Sequence, residues 1–367
     1  MYIYEIKDWP RFEWDEAAIA LPLSGLRNKQ GRIMGRMEAM GFVLQEEAKL
    51  RILSADVLKS TEIEGEFLDP QQVRSSVARR LGLDIAALVP SDRHVDGVVA
   101  MMLDATQNYE ATLSKERLFG WHTTLFPDAR SGNYSIETGS WRSGPMQVVS
   151  GPLGRERVHF EAPAAAALEK EMQAFLLWFN SNQHKDPVLK AALAQLWFVT
   201  VHPFDDGNGR IARAIADMQL ARSDGSRQRF YSMSAQISKE HNKYYEMLEK
   251  TQKGALDITE WLLWFFACMD RALDASTQIL GEVIQKAQFW EQHGGSQLNE
   301  RQRLMLNKLM DGFEGKLTTS KWAKIAKCSQ DTALRDILDL VGKNILQKEE
   351  SGGRSTSYGL RSLATGV

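Results

Sequence analysis

Apolar side chains recur along most of this chain at three- and four-residue steps, the spacing that covers one face of an α-helix. Ile33, Met37 and Met40, then Leu44, Ala48, Ile52 and Ala55, trace two such faces between Leu26 and Glu64. Gly41 is the break between them and Gly65 the expected stop. Residues 1 to about 20 instead alternate aromatic and polar side chains, which predicts an extended arm. Asp69-Pro70 opens a third helix to about Leu81, with proline at its first position, and Leu83 to Ser91 reads as a loop. Val95 to Tyr109 and Ser114 to Leu125 follow as helices, Ser114 serving as an N-cap.

The texture changes between Asp128 and Pro163. Turn clusters at Gly132-Asn133-Tyr134, Gly139-Ser140-Trp141-Arg142, Gly144-Pro145 and Ser150 to Gly154 separate two β-rich pieces, Met146 to Val149 and Arg157 to Phe160. These predict a hairpin. Helical periods resume over Leu168 to Asn180, Pro187 to Phe198, Ile211 to Arg222, Ser238 to Lys250 and Asp257 to Ala272. Beyond about Gln292, Gly294-Gly295 marks a linker. Three helices follow, over Asn299–Met310, Thr319–Ala326 and Gln330–Val341, then a ribbon from Ile345 to Leu360 turning at Gly352-Gly353. That order is a winged helix-turn-helix pattern.

Composition narrows the class without naming a chemistry. With 367 residues, 43% hydrophobic and 25% charged, the chain has the make-up of a globular protein of two or three domains. A net charge of −2 argues against wholesale electrostatic attraction to nucleic acid or membrane. Cys268 and Cys328 lie far apart with no metal spacing, which suits a reduced, cytoplasmic setting. No signal peptide is expected from the first ten residues, and the longest apolar stretch, Trp261 to Met269, is too short to span a bilayer.

The chemistry concentrates in His202-Pro203-Phe204-Asp205-Asp206-Gly207-Asn208-Gly209-Arg210, followed by Ile211-Ala212-Arg213. Glycines let backbone N–H groups converge on an anion, and the following helix offers its positive dipole end. Arginines in its first turns add fork-shaped phosphate ligands. Plainer readings exist: a structural histidine and an ordinary turn, a loose G-x-G-x-x-A dinucleotide pattern, or His202, Asp205 and Asp206 as metal ligands. A P-loop is excluded because no Gly-Lys-Ser/Thr occurs.

The nonapeptide as a whole resembles the HPFx(D/E)GN(G/K)R motif of the Fic family, matching at every specified position. The resemblance implies a mainly α fold: a Fic helical core with a small β-hairpin flap, an N-terminal helical domain, and the winged helix-turn-helix domain already noted. The corresponding boundaries are residues 1–92, 93–291 and 292–367. It also implies transfer of AMP from ATP to a Ser, Thr or Tyr hydroxyl of a target protein, releasing pyrophosphate. His202 would be the base, Asp206 would hold Mg²⁺, and Gly207, Asn208 and Gly209 would cradle phosphates through N–H groups and the Asn208 side chain. Arg210 and Arg213 would clamp the terminal phosphates, while Phe204 points inward and Asp205 has no assigned role.

Three other segments acquire roles by the same resemblance. Ser60-Thr61-Glu62-Ile63-Glu64-Gly65 is similar to the (S/T)xxxE(G/N) inhibitory motif, with Ser60, Glu64 and Gly65 at the matching positions. Glu64 would then pair with Arg213 and misplace ATP. On residue chemistry alone, it is a carboxylate at the unfavourable end of a helix dipole, either a solvated surface group or one with a distant cationic partner. Val158 and His159 belong to the flap, which in the family registers the target by strand-like backbone pairing. Tyr244, Tyr245 and Gln252 would line the adenine side, although buried aromatics are more often plain core. Family members also use dimerisation for regulation, so a homodimer is an expected partner. Two other functions share the motif: removal of AMP at the same site, with Glu64 aligning water, and a nucleotide-sensing transcription regulator. From Gly315 to Val367 there are nine basic and five acidic residues, a net +4. DNA contact by this tail is set against by Asp331, Asp336 and Asp339 on its second helix beside only Arg335, which leaves protein docking equally open.

Overall fold

A helix that is apolar on every side has to be buried on every side. Pro187–Val201 is such a helix, and every residue from Val188 to Val201 is shielded from solvent. In the computed structural model it stands at the centre of the fold. The structure describes residues 1–367 apart from 84, 86–87, 152–154, 156, 182–185, 295, 311–312, 314, 350–355, 362–367 and the side chain of residue 42.

In chain order, a 3₁₀ turn at Ile3–Glu5 precedes α1 (Glu16–Glu38), α2 (Phe42–Ile63), α3 (Pro70–Leu81), α4 (Arg93–Gln107) and α5 (Lys115–Leu125). Two short hairpins follow, β1 (Arg130–Ser131) with β2 (Tyr134–Ser135), and β3 (Gln147–Ser150) with β4 (Arg157–Glu161). After a second 3₁₀ turn at Ala165–Ala167 come α6 (Leu168–Asn180), the central α7 (Pro187–Val201), α8 (Asn208–Asp224), α9 (Met233–Lys239), α10 (His241–Gln252) and α11 (Thr259–His293). The chain then forms α12 (Glu300–Met310), α13 (Thr319–Ile325), α14 (Gln330–Gly342), β5 (Leu346–Lys348) and β6 (Tyr358–Leu360). The fold is mainly helical with small hairpins. Among the described residues, no helix is long and apolar enough to cross a membrane.

Two compact units divide the chain, Met1–Ile279 and Leu280–Val367. In the first, α7 and α8 pack along each other as a helical hairpin whose connection is the His202–Gly207 loop. The Trp261 indole on α11 donates to the Ala192 carbonyl at 3.0 Å and fixes α7 from behind. α2 lies along α9 and α3. It is tied to α9 by Asp56, which accepts from the Ser232 hydroxyl and from the Ser234 N–H.

Several elements depart from the periodic reading, each for an identifiable reason. The extended arm is shorter than expected: α1 begins at Glu16, capped by Asp15, and continues through Pro22. A proline inside a helix normally argues against one, yet the Asp15 cap and the buried Ile19 and Leu26 on one face carry α1 through Pro22. The arm that remains is anchored by aromatic contacts, Tyr2 and Tyr4 against Phe160 and Trp9 against Trp197. The helix expected over Ser238–Lys250 is two helices, α9 and α10. They are broken at Glu240, whose carboxylate takes both arms of Arg271 at 2.6 and 2.5 Å. α11 runs well past Ala272 because Leu273, Leu280 and Val283 continue its buried face. At Gly132-Asn133, where the sequence predicts only a turn cluster, β1 and β2 pair antiparallel as a short hairpin.

The second unit is described by itself. Its core gathers Met305, Leu306, Trp322, Ile337, Leu340 and Tyr358 from α12, α13, α14 and the β5–β6 hairpin, with Leu317 bridging to Tyr358. The Gly352-Gly353 turn expected between the strands lies outside the described residues. On α14, Asp336 is not part of an acidic outer face. It is buried and bonded to Arg301, and Asp339 bonds Gln302 and Lys343.

Candidate functional site

His202 ends α7 in the left-handed conformation, φ 52°, and so turns the chain out of the helix. Its Nδ1 lies 3.0 Å from the Val199 carbonyl. A carbonyl only accepts, so Nδ1 carries the proton and Nε2 keeps its lone pair. Burial depresses the imidazole pKa below its ordinary 6.5, and the Val199 carbonyl opposes that only in part. The ring is therefore neutral at neutral pH, with its basic nitrogen available.

The rest of the loop is held rigidly. Phe204 is fully buried and stacks on His122 with ring centres 4.2 Å apart. Asn208 closes the loop on itself, accepting from the Phe204 N–H at 2.9 Å and donating to the Phe204 carbonyl at 2.8 Å. Both polar ends of that side chain thus hold the loop, and a second amide N–H of Asn208 remains beyond this pair of bonds. Gly207 has φ 77°, and a Cβ there would meet the Phe126 ring at 2.9 Å, so no other residue fits without displacing the ring. Asp205, without an expected role, accepts from the Glu137 N–H at 3.2 Å.

At the first turn of α8 the structure brings together residues far apart in sequence. Glu64 closes α2 and Gly65 follows it at φ 80°. The Glu64 carboxylate reaches Arg213 Nη2 at 2.8 Å. Ser60, one turn earlier on α2, also grips Arg213: its carbonyl accepts from Nη2 at 2.7 Å and its hydroxyl from Nε at 3.1 Å. Burial works against the Arg213 charge, but Glu64, with Tyr244 and Tyr245 beside it, outweighs that and raises the pKa. Glu64 also presses on the cradle. A Cβ built on Gly209 would fall 2.1 Å from Glu64 Oε1. The carboxylate thus rests against the backbone at the positive end of α8, where a helix dipole favours an anion. The unfavourable end of its own helix is offset by the favourable end of another.

Arg210 is held by a residue that carried no signal of its own. Glu66 Oε2 accepts from Arg210 Nη1 at 2.8 Å and lies 3.3 Å from His94 Nε2. His94 holds the Glu66 carboxyl below the usual range, with desolvation opposing and the Arg210 charge helping, and Glu66 raises His94 in return. Arg210 also packs its guanidinium over the Phe126 ring, 5.0 Å from the centroid. Glu66 and Arg210 are 144 residues apart, so only the folded chain reveals the pair.

Asp206 accepts from the Gly207 N–H at 2.5 Å and from the Ser131 hydroxyl on β1, and its side chain is 42% exposed. No group of three or more His, Cys, Asp or Glu gathers there among the described residues. One accessible carboxylate, with substrate phosphates and water completing the shell, is a common way to hold Mg²⁺, so the residues present fit that ion.

The remaining expected residues are placed unevenly. Tyr244 is buried against Trp261 and Trp264, its hydroxyl accepts from Gln195 at 3.2 Å, and it lies beside the Arg213 guanidinium. Tyr245 instead reaches the Ile63 carbonyl at 3.4 Å, beside Glu64. Gln252 is buried and donates to Thr200 at 3.3 Å. On the flap, Val158 is exposed and pairs with Val149, with a bulge between Val148 and Val149. The His159 Nδ1 lies 2.7 Å from Glu249 on α10 and its Nε2 lies 2.5 Å from Ser150. Arg157 and Lys253 share that carboxylate, and together with His159 they hold the Glu249 carboxyl down at about 2.

Comparison with known proteins bears on this arrangement. Residues 112–220 match the family model described as Fic/DOC family, which spans α5, the flap, α7, the loop and most of α8. The chain carries a Fic/DOC domain. Residues 2–83, ahead of that domain, match a family described as a domain of unknown function, DUF4172, and this region includes Ser60, Glu64 and Glu66. Over 115 residues, 31% of this chain, the sequence is 35% identical to protein adenylyltransferase Fic of Nematostella vectensis, 25% of whose length is matched. Over 286 residues, 76% of this chain, it is 25% identical to that of Drosophila yakuba, with 53% of the relative matched. The chain thus spans between a quarter and about half the length of these curated relatives, and the kinship is distant. In architecture, a Fic family protein from Desulfovibrio desulfuricans G20 superimposes with a TM-score of 0.53 at 19% identity. That alignment covers 94% of this chain and 97% of the other. A Fic domain containing signaling protein from Bacteroides thetaiotaomicron gives 0.52 at 18%, covering 71% and 97%. At these identities the likeness is one of fold around the Fic/DOC domain.

Proposed function

We propose that the chain is a protein adenylyltransferase, moving AMP from ATP to a hydroxyl of a target protein and releasing pyrophosphate, and that Glu64 holds it in a resting state. The observation that carries this reading is the seating of the Glu64 carboxylate on Gly209 and Arg213, beside a histidine with a free basic nitrogen. An anion already occupies the seat that a triphosphate would need. Distant kinship to proteins named protein adenylyltransferase supports the same reaction.

The chemistry follows from the groups on hand. The target hydroxyl needs a base as it attacks the α-phosphorus, and His202 Nε2 takes that proton. The N–H groups of the first turn of α8 receive phosphate oxygens, and Arg210 and Arg213 hold the terminal phosphates. Asp206, kept in place by Ser131, would hold Mg²⁺, which supplies charge neutralisation on the phosphates. The target backbone lies along the flap, paired to the exposed strand edge near Val158. The second unit serves as a docking module for protein, either a target or a second copy, or for DNA.

Incubating a cell lysate with isotopically labelled ATP and the Glu64→Gly chain, then searching peptides for AMP, tests the reaction. Labelled hydroxyl-linked AMP is expected, dependent on His202. Its absence, with labelled nucleotide shown to bind, would set the transferase reading aside. Removal of AMP from an already modified protein would then be the activity to assay.

A second prediction concerns Glu66. If Arg210 is a phosphate ligand, its pairing with Glu66 competes with nucleotide. Glu66 is about one-third exposed, and such a pair contributes up to about 1 kcal/mol. Glu66→Gln should therefore tighten ATP binding by up to about fivefold. Calorimetric titration reads this directly, and an unchanged or weaker affinity would show that Glu66 orients Arg210 for nucleotide instead of competing with it.

A further inference from the structure

Arg142 is used by none of the roles above, yet it touches both halves of the site. It is 3% exposed. Its Nε donates to the His202 carbonyl at 2.8 Å, its Nη1 to the Gly144 carbonyl at 2.7 Å and its Nη2 to the Pro163 carbonyl at 2.5 Å. Its own N–H donates to the Pro203 carbonyl at 2.9 Å. Gly144 lies just before the flap's first strand and Pro163 just after its second. One planar guanidinium therefore joins both ends of the flap to the residue that carries the base.

We propose that Arg142 is a positioning residue that locks the flap and His202 into one rigid frame, so that a target strand registered on the flap arrives at a fixed distance from Nε2. This rests on the transferase reading above. The physical ground is the fork geometry. A guanidinium presents its donors in a fixed plane and can satisfy three carbonyls at once, whereas an ammonium cannot hold three such directions with the same stiffness. The frame matters because a displacement of about 1 Å between reacting groups costs on the order of a hundredfold in rate. The bonded partners of Arg142 are neutral carbonyls, and burial lowers its pKa. Its charge is thus only partly offset, and it reaches the nearby imidazole. Arg142 pushes the His202 pKa down while Glu64 and Asp206 pull it up.

The test compares Arg142→Gln and Arg142→Lys, both in the Glu64→Gly chain. For Arg142→Gln we expect kcat for AMP transfer to fall about a hundredfold, with the KM for ATP changed less than about twofold. The His202 imidazole, followed by NMR of isotope-labelled histidine, should titrate at higher pH than in the parent. Arg142→Lys keeps the charge and should keep the low His202 titration while still losing most of kcat. If glutamine unfolds the domain, the lysine variant carries the test. The proposal is overturned by kcat within about threefold of the parent in the folded variants. It is also overturned by a KM for ATP that rises in step with the loss, or by an unmoved His202 titration in Arg142→Gln. The NMR reading needs no turnover, so failure of the transferase reading, seen as an inactive Glu64→Gly parent, is distinct from failure of this one.

Discussion

With His202 replaced by alanine, AMP transfer should fall by about two to four orders of magnitude, the range that a positioned general base contributes. ATP binding should be nearly unchanged. The two effects separate because the proposed phosphate seat is built from other residues: the first turn of α8, Arg210 and Arg213. His202 bonds Val199, its own helix and Arg142, and neither Arg210 nor Arg213. Transfer from α-labelled ATP and calorimetric binding together read the result. A variant of full activity would remove His202 from the role of base. Transfer by the parent chain should show a matching pH dependence. The basic form of His202 exists above its pKa, and that pKa is depressed below 6.5 by burial. Activity should therefore hold through neutral pH and fall only as the pH drops below 6.5, before any Arg142 substitution shifts that limb.

The second large effect is a gain. Glu64→Gly should raise the transfer rate at subsaturating ATP by about 5- to 150-fold, the span of a 1–3 kcal/mol coupling between an inhibitory contact and a ligand. The structure explains why the arginine should survive the change. Ser60 holds Arg213 through its carbonyl and its hydroxyl, neither of which depends on Glu64. Losing the glutamate vacates the space above Gly209 while Arg213 remains in place. Initial rates against ATP concentration give the answer. A rate equal to or below the parent would mean that Glu64 supports the site instead of blocking it.

What could be read in the sequence was what is local in it. His202 to Arg213 are contiguous, so the cradle, base and arginines were visible as one string. Helix ends marked by Asp69-Pro70, Ser114 and Gly65 fell where their capping chemistry put them. The Glu64–Arg213 pair was legible only through a family pattern, since nothing in the spacing of two residues on separate helices requires them to meet. Glu66, Arg142 and Ser131 were not legible as site residues at all. Each depends on a partner 60 to 144 residues away. A sequence-level hint existed for Glu66, a second carboxylate just past the end of the same helix, but one acidic residue after a glycine carries no direction. For Tyr244, whose position in the family pattern suggests nucleotide, the fold sets the ring among Trp261 and Trp264 and the hydroxyl beside Gln195 and Arg213.

Along α2, Asp56, Ser60 and Glu64 follow at four-residue intervals and face α9, Arg213 and Gly209 in turn. The phase of that one helix is thus the device's ruler. A single alanine inserted between Asp56 and Ser60 would swing everything beyond it by about 100° around the axis. Every residue of the inhibitory contact would still be encoded, and none would point at its partner. If Glu64 is inhibitory as proposed, a length change in α2 should therefore release the site as surely as deleting the glutamate, and alignments of such chains should tolerate almost any surface substitution along this helix but no gap.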